Sequence, residues 1–352
     1  MVFSVTAISL VLLAAGGLYW FFAPGGEISG TVTPPRAAAS PSPSSSAPQA
    51  PAAASRYTAR RQRMNSGDVW EQIVLTGGAS GVTQRLWVWL PPEYHQPRFR
   101  GHAFPVLITH SGFAGHGYNS FTSSSLDAPS ELRKTVEAGR SHPFILVAPE
   151  LQGGPDAEYD AELEANGGKW KYPGVREKYE TECSDIPGQP RVGTWMNVDV
   201  PNLVRARYRA IGDRSGWGIT GASSGGFCAF KLGMQYPERY GAAASVSGYF
   251  EPQSRLWAKG SPEREANNPS RLVLQRPDIP LYATWGRKDT SRTLNEKFRT
   301  LVQAPTTIDS HVGAGKHLTA DMRALLAPMY TWFTGRLAAP RPLKPGERPT
   351  AR

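Results

Sequence analysis

The 352-residue chain reads as an α/β protein built on a mostly parallel, three-layer sheet. Three observations predict this. Apolar runs without polar alternation recur along the chain at 104–110 (FPVLITH), 143–149 (PFILVAP), 216–223 (GWGITGAS), 242–249 (AAASVSGY) and 281–286 (LYATWG). Bounded by Gly, Pro and Asp, such runs suit strands buried on both faces. Helical patterns alternate with them, at SELRKTVEAG, VPNLVRARYRAIG, CAFKLGMQYPERY and LTADMRALLAPMYTWFTGRL, which is the βαβ order of a parallel sheet. A strand–turn–helix signature stands in the middle of the chain.

Taken in order, residues 1–23 open with a charge-free run, Val2 to Ala23. As a helix it would span about 33 Å, close to the hydrocarbon thickness of a bilayer. Tyr19 and Trp20 near its end suit a membrane interface. The run lacks a basic n-region and a small-x-small site directly after it, which favours an uncleaved anchor over a cleaved signal peptide. With cleavage the protein would be secreted. Residues 24–67 are expected to be a linker, because TVTPPRAAASPSPSSSAPQAPAAAS is dominated by Pro, Ala and Ser and has no apolar period. An anchor followed by such a stalk predicts a tethered, extracytoplasmic domain over 68–335. Within it VWEQIVLTG and RLWVWLPPEY alternate apolar and polar residues and predict an antiparallel opening hairpin. The Pro-rich end, 336–352, is expected to be a disordered basic tail.

Charge narrows the function. The formal net charge of +10 would suit a nucleic-acid binder if it were clustered on the folded part. It is not. Residues 1–67 hold five arginines against Glu27, and residues 336–352 hold five basic groups against Glu347. The region between is almost neutral, so no nucleic-acid partner is expected, and the basic flanks suit an anionic surface. Two cysteines exclude a disulfide-stapled miniature fold and a four-thiolate zinc site.

Gly221-Ala222-Ser223-Ser224-Gly225 matches G-x-S-x-G. It follows a buried-strand run and precedes an amphipathic helix, the setting in which a strained turn lifts a serine hydroxyl above the sheet. Gly221 and Gly225 leave room for the adjoining strand and helix. Ser223 is therefore the predicted nucleophile. A serine hydroxyl needs a base. In this fold order the base follows it, which leaves His311 inside an apparent strand and His317 in a glycine-bearing loop after that strand. His317 is the predicted base. Asp289, in the loop after LYATWG, is the predicted orienting carboxylate, with Asp309 as its rival within a strand. The order Ser223, Asp289, His317 is that of the α/β-hydrolases. Two backbone donors are needed for the oxyanion: Ser224 N–H, after the nucleophile, and Phe113 N–H, following the turn at Gly112. His110 ends a strand and is expected to support that loop.

WVWLPPEY, HSGFAG, GASSGGFCAF and GKHLTADMRALLAPMYTWF together resemble the esterase D family of α/β-hydrolases, which includes secreted actinobacterial esterases and mycolyltransferases. The resemblance covers about Asp68 to Leu337. It implies a serine carboxylic-ester hydrolase or an acyltransferase to a sugar or glycerol hydroxyl, acting on small-molecule or lipid esters without metal or organic cofactor. It supports Ser223, His317, Phe113 and Ser224, and also Asp289. This chain departs from the commoner His-Gly loop by reading His110-Ser111-Gly112. A noncatalytic binding or scaffold protein on the same fold is the alternative of another class.

Cys183 and Cys228 could form a disulfide in an extracytoplasmic setting, pinning the 150–195 connection over the site, or could remain separate thiols. That connection carries Trp170, Tyr172 and Tyr179. It is long enough to be a substrate wall or lid, or a surface insertion.

Overall fold

The computed structural model describes residues 27–33, 53–113 and 116–350. Among these residues ten strands form one sheet in the order β1-β2-β3-β4-β7-β6-β8-β9-β10-β11. They are β1 Ile28–Val32, β2 Ser55–Arg63, β3 Val69–Thr76, β4 Thr83–Trp89, β6 Val106–His110, β7 Ile145–Pro149, β8 Trp217–Ala222, β9 Ala242–Val246, β10 Pro280–Gly286 and β11 Thr307–Gly313. Two short strands, β5 His102–Ala103 and β12 Arg341–Pro342, pair separately. The strands from β7 through β11 pair in parallel. The strands from β1 to β4, and β4 with β7, pair antiparallel.

The apolar runs are continuous because both faces of the parallel strands are covered. Successive side chains of a strand point to opposite faces. Val106 and Ile108 enter one core, with Phe227, Phe230 and Phe298, while Leu107 enters the other. Ile145 and Val147 divide from Leu146 and Ala148 in the same way. Helices Val200–Arg207 and Ser224–Gln235 cover the first face. Helices Ala128–Glu137 and Leu326–Thr334 cover the second, through Leu132, Met329 and Phe333. The three-layer architecture follows.

The final helical pattern is two helices, Thr319–Arg323 and Leu326–Thr334. Pro328 has no N–H to give, and its ring would meet the carbonyl of residue 324, so a fresh first turn is the conformation that admits it.

Two expectations shift, and one lies outside the described residues. The apolar run Val2–Ala23 and most of the Pro/Ala/Ser segment lie outside the described residues; among those described, no helix is long and apolar enough to cross a membrane. The opening is more than a hairpin, since β1 and β2 extend the sheet into the expected 24–67 linker. The reason is alternation hidden by charge: Tyr57 and Ala59 point into the core, while Arg56, Arg60, Arg61 and Arg63 on either side of them are exposed. Residues 336–350 are not a loose tail. Leu343 N–H donates to Gly101 O and Thr350 N–H to Ala206 O. Glu347, buried, accepts from Gly212 N–H at 2.8 Å, from Lys344 N–H at 2.7 Å and from both terminal nitrogens of Arg341. One internal carboxylate anchors a segment whose composition suggests a solvated chain.

Candidate active site

β8 ends at Ala222 and the helix Ser224–Gln235 begins two residues later, leaving Ser223 in the turn with φ 54° and ψ −115°. A non-glycine residue holds that conformation only when its surroundings impose it. Ser223 N–H donates to Val246 O at 2.9 Å, and its carbonyl accepts from Gly226 and Phe227. The flanking glycines are steric necessities: a Cβ on Gly221 would lie 2.2 Å from the Gly225 carbonyl carbon, and one on Gly225 would lie 2.1 Å from His110 O.

The loops after β10 and β11 are laced together beside this turn. Arg287 N–H donates to Gly313 O at 2.7 Å and Lys288 N–H to Gly315 O at 3.0 Å. The first loop carries Asp289 and the second His317. Across them His317 Nε2 lies 3.0 Å from Ser223 Oγ, and Nδ1 lies 2.9 Å from Asp289 Oδ1. Oδ1 also accepts from Ser291 N–H at 2.7 Å. Burial alone would raise the Asp289 carboxyl. The His317 and Ser291 hydrogen bonds, with the Ser247 hydroxyl nearby, outweigh it and hold the group well below the usual carboxylate range. The serine, the imidazole and an ionised carboxylate thus stand in line.

The rivals lie elsewhere. Asp309 is on the edge strand β11, where its Oδ2 accepts from Trp332 Nε1 at 2.7 Å and from Arg336 at 3.1 Å. His311 is exposed on the same strand. His110 is fully buried with both ring nitrogens unpartnered, and burial first, then Lys231, pushes it down to about 3. It is a neutral packing residue whose carbonyl abuts Gly225.

Ser224 is the first residue of its helix, where a backbone N–H has no intrahelical acceptor. The loop after β6 runs against the turn: a Cβ on Gly112 would lie 3.6 Å from Ser223 Cβ. Phe113, next in that loop, faces the same cavity as Ser223, Ser224 and His317, with the Arg176 guanidinium 4.4 Å from its ring centroid. Beyond Phe113 the loop is held by polar contacts. His116 reaches Asp156 at 2.8 Å and Glu150 at 3.2 Å, stacks on Tyr159, and Gly117 N–H donates to Glu150.

The cavity holds about 390 Å³. Its outer wall comes from the 150–195 connection, which contains the helices Asp156–Ala165 and Val175–Lys178 and presents Tyr172, Glu177, Glu180 and Glu182. The Cys183 and Cys228 sulfurs are bonded, tying that wall to the nucleophile helix. Sequence reasoning missed Glu180, Glu182, Ser247 and Tyr249. The only signal was a cluster of acids before Cys183 (YETEC), which alone does not say which way the side chains turn. Burial, then Glu182, pushes the Glu180 carboxyl up to about 8. Among the described residues no group of three or more His, Cys, Asp or Glu side chains is arranged to hold a metal ion. A serine with an aligned base and a helix-start N–H beside it can form and break an acyl-enzyme.

A family model described as "Putative esterase" matches residues 81–317, about two thirds of the chain. An uncharacterized protein of Corynebacterium glutamicum is 27% identical over 187 residues, 51% of this chain and 37% of that protein. S-formylglutathione hydrolase of Paracoccus denitrificans is 24% identical over 184 residues, 51% of this chain and 57% of that protein. The matched region therefore spans less than two thirds of either relative. Among solved structures, a ferulic acid esterase matches with TM-score 0.56 at 16% identity, covering 81% of this chain and 99% of its own. S-formylglutathione hydrolase of Agrobacterium tumefaciens matches with TM-score 0.56 at 14% identity, covering 81% and 96%. At these identities the likeness is one of fold.

Proposed function

Because this chain belongs to the esterase family of α/β-hydrolases, we propose that it is a serine carboxylic-ester hydrolase working through an acyl-enzyme on Ser223. The carrying observation is the His317 ring set between Ser223 Oγ and Asp289 at 3.0 and 2.9 Å. His317 Nε2 takes the serine proton as Oγ attacks the ester carbonyl. Asp289 accepts from Nδ1–H, holds the tautomer and offsets the imidazolium. The N–H groups of Ser224 and Phe113 receive the oxyanion. As the tetrahedral adduct collapses, His317 passes its proton to the leaving alcohol. Water then opens the acyl-enzyme with His317 again as base. A sugar or glycerol hydroxyl entering in place of water would give acyl transfer by the same steps. The relatives and neighbours that act on thioester or ester substrates support the reaction class.

We place the domain outside the cytoplasm, tethered by the Val2–Ala23 segment. The charge-free length of that run supports this, as does a disulfide, which persists in oxidising compartments. Protease treatment of intact cells should remove the domain while the cytoplasm stays sealed; protection would refute the placement. For the chemistry, a fluorophosphonate should label the wild-type protein at Ser223 and fail on Ser223→Ala. Equal labelling of both, or of neither, refutes the esterase reading. Adding glycerol or trehalose to an acyl-ester assay separates hydrolysis from transfer by the product formed.

A further inference from the structure

The register of the first two strands fixes where the chain reaches the domain. Ile28 opens β1 opposite Ala59, and Val32 closes it opposite Ser55. The Pro/Ala/Ser stretch between the two strands therefore starts and ends at neighbouring residues, and it adds no reach between Val2–Ala23 and the domain. Only residues 24–27 separate that apolar run from β1. Fully extended, they bridge at most about 18 Å. β1 itself is fastened to the domain: Val32 is buried in the core, and the Tyr57 ring lies so close over Gly30 that a Cβ there would fall 2.5 Å from its Cζ.

The chain enters β1 beside a run of cations. Past Ala59, the partner of Ile28, β2 continues with Arg60, Arg61, Gln62 and Arg63, and all three arginines are exposed. β1 pairs only with 55–59, so among the described residues this end of β2 is an edge of the sheet. The acids nearby are taken. Glu71, the register partner of Arg61, accepts from Arg207 and Tyr208, and Asp68 pairs with Arg133. Arg63 donates to the neutral Gly67 carbonyl at 2.8 Å and Arg60 to the Gln72 amide at 2.8 Å. Glu27, exposed at the entry to β1, is the single acidic residue of 1–67. The entry point therefore carries a net positive charge.

An anionic leaflet favours a nearby arginine about fivefold, and the attraction fades over about 8 Å at physiological salt. A bridge of at most about 18 Å holds this edge at a high effective concentration beside the bilayer, so a modest attraction per residue is enough. Guanidinium forks match phosphate oxygens, and long arginine stems let side chains from both faces of a strand reach a surface that meets the sheet edge. We propose that this end of β2 docks on anionic phospholipid headgroups through Arg61 and Arg63, with Arg60 adding its charge, so that the domain rests on the membrane and not at the end of a stalk. This rests on the tethered placement. β2 stands five strand positions from β8, about 24 Å at the usual strand spacing, so docking leaves the chemistry at Ser223 unchanged.

The test reconstitutes the full chain in vesicles, with a donor dye on Asn65→Cys, exposed in the turn after β2, and an acceptor dye on the lipid. Labelling without reductant keeps Cys183 and Cys228 bonded. Vesicles are phosphatidylcholine alone or phosphatidylcholine mixed with phosphatidylglycerol. Energy transfer should be stronger in the mixed vesicles and should fall as salt is raised toward about 1 M, where screening is complete within about 3 Å. Arg61→Gln with Arg63→Gln should lower the ratio of docked to undocked domain about 25-fold in the mixed vesicles, with wild-type activity on a soluble p-nitrophenyl ester and an unchanged thermal midpoint. Equal transfer in the two lipids, indifference to salt, or unchanged transfer in the folded double variant would overturn the proposal. Should that variant fail to fold, the lipid and salt dependence of the otherwise wild-type chain decides alone. Extraction of the full chain from vesicles by alkaline carbonate sinks the tethered placement instead, so the two failures are distinct.

Discussion

Replacing Asp289 with asparagine removes a charge while nearly preserving shape, and the surrounding donors say what else survives. Oδ1 accepts from both His317 Nδ1 and Ser291 N–H, at 2.9 and 2.7 Å, whereas Oδ2 is buried without a hydrogen-bond partner. An asparagine has one oxygen to place. The Ser291 N–H, fixed by backbone, selects the Oδ1 position for it and leaves the amide NH₂ at the other. His317 Nδ1–H therefore keeps its acceptor, and Nε2 remains the base facing Ser223. What disappears is the negative charge opposite the imidazolium. Two unit charges about 4 Å apart at an effective dielectric of about 20 interact by about 4 kcal/mol. At about 1.4 kcal/mol per decade this is a loss in kcat of about 10³. Losing the tautomer as well would take it to about 10⁴. The assay is kcat on a p-nitrophenyl ester with active sites counted by fluorophosphonate titration, run beside Asp309→Asn. We expect the 10³ loss for Asp289→Asn, KM within about threefold, and wild-type kinetics for Asp309→Asn. Retention of more than about a tenth of kcat would refute Asp289 as the orienting carboxylate, and a loss of about 10⁴ or more in a folded variant would refute the selection of the asparagine oxygen.

Gly225→Ala should abolish soluble expression or cost more than about 3 kcal/mol in urea unfolding, because the new Cβ would fall 2.1 Å from His110 O and 2.5 Å from Ser111 O, both backbone atoms; near wild-type stability would contradict the packing of the turn. Glu180, pushed up to about 8 chiefly by burial, keeps in the folded state a proton that the unfolded chain releases above the ordinary carboxyl value of 4.5. Wild-type stability should therefore carry a component that is full below about pH 4.5 and falls, by at most about 1.4 kcal/mol per pH unit, as pH rises toward 8. Glu180→Gln should flatten that fall in denaturation curves between pH 5 and 8; an identical pH dependence in both proteins counts against a protonated Glu180. Glu347→Ala strands the Gly212 and Lys344 N–H groups and the Arg341 guanidinium, so a loss of about 1–3 kcal/mol and increased proteolysis beyond residue 340 are expected; unchanged proteolysis would show that the segment is held by other contacts.

The sequence by itself determined the layers and the nucleophile turn, because these follow from short-range patterns. A strand buried on both faces reads as an apolar run, as β7 does. A turn that brings backbone within van der Waals distance at two places must carry glycine there. The order of Ser223, Asp289 and His317 is likewise a property of the chain. Pattern reading failed where charge masked it, in β2 with its exposed arginines, and where one residue reorganised a segment, as Glu347 does for 341–350. Only the tertiary structure decided that Asp289 rather than Asp309 stands beside His317, since both follow Ser223 and both lie near strands. That choice depends on two loops meeting through Lys288 and Gly315, a contact no local pattern encodes. Glu182 is the furthest case: its donors, Tyr249, Gln253 and Trp257, lie 67 to 75 residues away in sequence. Its desolvation and its three donors exist only once folding has fastened the wall to the helix.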